Sequence, residues 1–187
     1  AQALAARLAK LATAPAIQAK LAKALADISQ AKAARLTALT AMAAMASAPV
    51  NPAPDAWLDA IDSTAAPLRP AAVRSLVSLR LAKVQQERVA GMLRRFGRSS
   101  TLPDRHRTLA FSGIPTGLFA PDETEFDYLL GQLGAGQPFA QRSNAAKALA
   151  DAKLAEAQLS RLVNELGSIG SAEATALLPA FGRGRAA

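Results

Sequence analysis

The feature that most constrains this chain is the spacing of its apolar residues. They recur at intervals of three and four: Leu4, Leu8 and Leu11, then Ile17, Leu21 and Leu25, and later Val89, Met92 and Phe96. The same spacing returns in Phe126, Leu129, Leu130 and Leu133, and in Leu159, Leu162, Val163 and Leu166. Strand-like alternation is essentially absent, so the pattern predicts an all-α protein. Breaks follow helix chemistry. Pro54, Pro70, Pro103, Pro121 and Pro138 stand near expected helix starts, where a missing N–H costs nothing, and Gly97, Gly134 and Gly167 follow apolar stretches as expected C-terminal caps. Asp122 and Glu125 form a D-x-x-E capping pattern ahead of "FDYLLGQL". These stops divide the chain into about eleven short helices.

Two kinds of helix alternate. "ARLTALTAMA", "AAVRSLVSLR", "RHRTLAFSGI" and "SNAAKALADA" are rich in small residues and align on Leu39, Leu76, Leu109 and Leu149, at separations of 37, 33 and 40 residues. Between them lie "APDAWLDAIDS", "VQQERVAGMLRRF" and "DETEFDYLLGQL", built on larger side chains. A helix pair recurring every ~35–40 residues, with one small-residue partner, is the pattern of a stacked helical array. The alternative is a plain helical bundle with chance alanine-rich similarity. In the array reading, Ala145, Ala146, Leu149 and Ala152 pack against the helix carrying Leu159, Leu162, Val163 and Leu166.

The segment "LRPAAVRSLVSL" resembles the second helix of a HEAT repeat, and residues 56–183 resemble, loosely, the HEAT-like segment of large planctomycete and verrucomicrobial proteins. There the segment lies between a sugar-dehydrogenase-like propeller and a C-terminal cytochrome c domain. The resemblance implies a right-handed α-solenoid of about four to five helix pairs. It also implies bacterial origin, a periplasmic location and association with a cytochrome-containing neighbour. A c-type haem needs C-x-x-C-H, and the 187 residues contain no cysteine, so any redox centre would belong to a neighbour. On this reading residues 1–187 form one HEAT-like domain, with an irregular part within 1–50, working as a non-enzymatic protein–protein interaction scaffold without a cofactor.

Composition narrows the functional classes. Apolar residues make up 51% and aromatics 4%, so the core depends on close helix packing more than on large side chains. The uncharged run Leu36 to Pro54 is interrupted by Thr37, Thr40, Ser47, Pro49, Asn51 and Pro52, and reads as a buried helix followed by a loop, not a membrane span. No signal peptide is visible. The net charge of +8 is concentrated between Arg69 and Arg107, where ten basic residues meet only Glu87 and Asp104.

That segment offers Arg69, Arg74, Arg88, Arg94, Arg95, Arg98, Arg105 and Arg107 as a candidate surface for an acidic protein partner. A membrane surface is a further option, and a solvated face with internally paired arginines is the plain one. The alternative function is nucleic-acid binding through residues 69–107, as in the HEAT-like DNA glycosylases. Only Glu87, Asp104 and Phe96 would support chemistry or base stacking there.

Trp57, among Asp55, Asp59 and Asp62, reads as an inward-packing residue or as a partner anchor. His106, the one histidine, lies between two arginines, which suits a surface or capping role better than metal or base chemistry. The acids Asp122, Glu123, Glu125 and Asp127 lack the spacing and glycine of a calcium loop and read as helix-start charges. No serine has a credible His/Asp arrangement, and the glycine-containing stretches near the C-terminal end lack a phosphate-loop lysine. No catalytic or metal-ligating residue is assigned.

Overall fold

A computed structural model describes residues 14–44 and 52–183, together with Arg7 and Leu11; the Arg183 side chain is not among the described parts. Ten α-helices and no strand ladder are present among these residues, in agreement with the all-α expectation. The expected helix around Leu4 and Leu8 lies outside the described residues. The chain divides into two compact units, residues 1–92 and 93–187.

In the first unit, α1 (Pro15–Ala26) opens on the proline its sequence suggests and buries Leu21, Ala22 and Leu25. Its end is tied off from a distance. The buried Arg35 of α2 (Lys32–Ala44) donates from Nε to the carbonyl of Leu25 at 2.8 Å, satisfying a helix-end acceptor that would otherwise be orphaned. Both helices are regular and fall within the stretch 1–50 that the sequence suggests is partly irregular.

Then come α3 (Asp55–Asp62) and α4 (Arg69–Ser78), followed by α5 (Gln86–Arg98), within which the boundary between the units falls. Helix α1 packs on α2 and α3, and α2 packs on α4, enclosing Leu25, Leu39, Met42, Trp57, Leu58, Ile61 and Leu76. Each such side chain, moved out of water, contributes about 1.5–3 kcal/mol. This large-residue core offsets the small area that the surrounding alanines bury.

The second unit contains α6 (Asp104–Ser112), α7 (Glu123–Gly131), α8 (Phe139–Ala150), α9 (Glu156–Glu165) and α10 (Ser171–Arg183). Helix α8 approaches α6, α7 and α10 with Cα atoms within 8 Å. Alanine makes this possible. Ala145, Ala146 and Ala148 are fully buried, and side chains of one carbon let backbones meet that leucines would hold apart. The alanine-rich helix therefore stacks chiefly beside α6 and α10, rather than on the leucine-rich helix that follows it. Of the four residues expected to pack from α9, only Leu162 is fully buried, while Val163 is 51% exposed.

Two further expectations shift by local geometry. Leu109 is only half-buried, whereas Ala110 is fully buried, so Ala110 is the inward-facing counterpart of Leu76 and Leu149. Gly97 lies inside α5, not after its end. A Cβ there would stand 2.6 Å from the Phe111 ring, so glycine is required by close approach and not by a cap. Pro54, Pro103 and Pro138 are N-caps as read from the sequence.

Candidate functional site

The arginine-rich segment is where the sequence places its candidate contacts, and most of the geometry there is internal. Counting from the N-cap, the third residue of a helix points back over the first turn. In α5 this position is filled through the preceding turn, Lys83–Gln85, whose N-cap is Ala82. Gln85 is buried and accepts from the Ala82 N–H through Oε1 at 2.9 Å. Its Nε2 meanwhile donates to the Ala53 carbonyl and to Asp55 Oδ1, both at 2.8 Å. One carboxamide thus caps its own helix and fastens the start of α3. Three residues on, Arg88 Nη2 donates to Asp59 Oδ1 at 2.6 Å.

The second unit contains the same set of bonds. Gln158, buried at the third position of α9, accepts from the Ala155 N–H at 3.1 Å. Its Nε2 donates to the Pro121 carbonyl at 3.0 Å and to Glu123 Oε1 at 3.1 Å. Three residues on, Arg161 donates to Asp127 at 2.6 Å and to Glu123 at 3.0 Å. Ala53, Asp55, Asp59, Gln85 and Arg88 correspond one for one, in helix register, to Pro121, Glu123, Asp127, Gln158 and Arg161. Each glutamine is a buried polar group with partners on both its oxygen and its nitrogen, the condition under which burial is not penalised.

At the third position of α7 the amide is replaced by a carboxylate. Asp122 and Glu125 form the reciprocal capping box the sequence predicts, with Asp122 Oδ1 accepting from the Glu125 N–H at 2.8 Å and Glu125 Oε2 accepting from the Asp122 N–H at 3.1 Å. Glu125 is 2% exposed. Arg94 donates to it from Nε at 2.7 Å and from Nη2 at 2.5 Å, and Arg98 from Nε at 2.7 Å. Burial by itself would raise this carboxyl's pKa. The hydrogen bonds from Arg94, Arg98 and the backbone outweigh it and hold the group below the ordinary carboxylate range.

Arg98 also reaches Asp122 at 2.6 Å, and Arg94 donates to the carbonyls of Phe119 at 3.3 Å and Ala120 at 3.2 Å. Ala120 has a positive φ of 44°, a conformation costly for a residue with a Cβ, and the Arg94 guanidinium holds the turn in that shape.

Beside this cluster lies a cavity of about 230 Å³ lined by Arg98, Arg107, Phe111, Asp122, Glu125 and Tyr128. Arg107 lies 3.7 Å from the centre of the Tyr128 ring, donates to the Gly97 carbonyl at 2.9 Å and pairs with Asp104 at 3.3 Å. The Tyr128 hydroxyl donates to Asp104 Oδ1 at 3.1 Å, and its pKa is pushed up by burial and by Asp104. With the carboxyl held ionised and the phenol held protonated, neither is set to exchange a proton near neutral pH.

The candidate residues are therefore distributed as follows. Arg88, Arg94, Arg98 and Arg107 belong to intramolecular bonds. Arg74, Arg95 and Arg105 are exposed, and Arg69 is half-buried. Trp57 is 1% exposed and its Nε1 donates to the Gln18 carbonyl at 2.8 Å, so it is a core residue and presents no surface to a partner. His106 is buried, not at the surface, because the third position of α6 also faces inward. No group of three or more potential metal ligands is assembled among the described residues, and no helix among them is long and apolar enough to cross a membrane.

Sequence reasoning misses Gln85 and Gln158. Their signal is half a capping box, A-x-x-Q, in which alanine at the N-cap conceals the motif that Asp122 makes obvious in α7. Comparison with protein-family models, curated proteins and solved structures gave no match to this chain.

Proposed function

We propose that this chain is a HEAT-like helical-repeat scaffold, a right-handed α-solenoid of four to five helix pairs that binds protein partners and performs no chemistry of its own. The observation that carries this reading is the twofold occurrence of one polar arrangement: Gln85 with Arg88 in the first unit and Gln158 with Arg161 in the second. A plain bundle has no reason to repeat, in register, a buried amide that both caps its own helix and bonds the start of an earlier one. A stack of like helix pairs does, because every interface poses the same problem of unsatisfied helix-start groups.

The same geometry weighs against nucleic-acid binding through residues 69–107. Arg88, Arg94, Arg98 and Arg107 are engaged within the protein, which leaves fewer guanidinium groups to displace counterions from a phosphate backbone. The association with an exported cytochrome-containing neighbour remains part of this proposal through the sequence resemblance.

The test is cross-linking in the cells that make the protein, followed by mapping of the linked residues, beside duplex-DNA anisotropy at about 50 and 200 mM salt. A defined protein partner with weak DNA binding is the expected result. Tight, steeply salt-dependent duplex binding that Arg105→Glu weakens, with no protein cross-link, would overturn the scaffold reading.

A further inference from the structure

Within the second unit, α7 offers one face to α9. In register that face consists of Glu123, Asp127 and Leu130, the first, fifth and eighth residues of the helix. Glu123 and Asp127 accept from Gln158 and Arg161, and Leu130 is half-buried. The same three positions in α9 hold Glu156, Ser160 and Val163, and all three are exposed. The carbonyl of Leu154 precedes the N-cap there, as those of Ala53 and Pro121 do in α3 and α7.

The small-residue row ends similarly. The eighth position is the buried Phe111 in α6 and the buried Ala146 in α8, but Leu178 in α10 is 62% exposed. The last pair thus carries the acid and the apolar residues of a stacking face with nothing described upon it. A surface meant to end such an array is ordinarily polar.

We propose that the α9–α10 face is a docking surface for a helix pair of a partner protein whose first helix carries glutamine at its third position and arginine at its sixth. The partner chemistry follows from continuity with the interface already formed between α7 and α9. The glutamine would donate to the Leu154 carbonyl and the Glu156 carboxylate. The arginine would take Glu156, as Arg161 takes Glu123, since Ser160 stands where Asp127 supplies a second acid. Val163 and Leu178 would be covered by the partner's two helices. This inference rests on the scaffold reading and names the surface and the partner's recognition features.

The test extends the full chain past Ala187 with a second copy of residues 151–183, which carries the required glutamine and arginine, and follows amide hydrogen exchange in the appended helices. Tethering removes low affinity as an explanation for failure. The expected result is protection of the appended helices by at least about tenfold over the same extension carrying Val163→Asp and Leu178→Asp in the parent part, where both residues are exposed and the parent fold should persist. Replacing the appended copies of Gln158 and Arg161 by alanine should reduce the protection several-fold.

Unprotected appended helices, or equal protection with and without the aspartates, would overturn the proposal. So would sedimentation showing that the unextended chain forms a dimer which Val163→Asp dissociates, since the occupant would then be a second copy. A cross-linked partner seated on another surface would leave the scaffold reading standing while this one fails.

Discussion

The two units hold the same polar arrangement and anchor it differently. In the first, the third residue of α3 is Trp57, whose indole bonds the Gln18 carbonyl while the ring fills the core. In the second, the corresponding residue of α7 is Glu125, a buried carboxylate held by two arginines. An aromatic anchor contributes through area and requires one hydrogen bond. A carboxylate anchor contributes only while every partner is present, because desolvation works against it. The first unit should therefore respond mainly to loss of volume, and the second to loss of charge.

Trp57→Ala should break that contrast most severely, lowering the stability of the first unit by about 3–5 kcal/mol, measured by amide exchange resolved to each unit. Glu125→Ala should cost the second unit about 2–4 kcal/mol, since Arg94 and Arg98 would lose their acceptor but keep some access to water. Glu125→Gln retains the cap and should cost less, which denaturant melts of the two variants would show. Gly97→Ala should lose about 1–3 kcal/mol from crowding of Phe111, despite alanine's higher helix propensity.

Gln85→Ala and Gln158→Ala sharpen the comparison. Each removes one capping acceptor and two onward bonds, so the losses should be alike, about 1–3 kcal/mol, each confined to its own unit. Unequal losses would show that the two arrangements are not equivalent. Arg88→Ala and Arg161→Ala should have the smallest effects, because both pairs are exposed and screened by solvent.

Acid separates the units without mutation. The folded-state pKa of Glu125 is lowered, so its contribution is fully present above the unfolded carboxylate value of about 4.3 and is lost as pH falls through the folded value. Exchange protection of the second unit should decline over that range more in the wild type than in Glu125→Gln, and their difference should close at the acid end.

Several elements are legible in the sequence itself. The caps at Pro54, Pro103 and Pro138, and the Asp122–Glu125 box, are local devices acting over one helical turn, and a short stretch of chain contains all the groups involved. Alternation of alanine-rich and large-residue helices is also readable, because side-chain size is written in the sequence. The candidate surface is less legible. Clustered arginines look alike whether they face solvent or a carboxylate some thirty residues away, as Arg94 faces Glu125.

The sequence by itself determined that this is a helical protein, where most of its helices begin, and that its charge excess is concentrated in one quarter of the chain. Periodicity and capping are properties of neighbours along the chain, so they survive without a fold. Tertiary structure alone decided that Trp57 is core, that His106 is buried, that alanine-rich helices stack on one another, and that four of the arginines hold carboxylates within the protein. Each of those outcomes depends on which distant groups share a small, poorly hydrated volume, and hydrogen bonding across it is set by packing, not by order in the sequence.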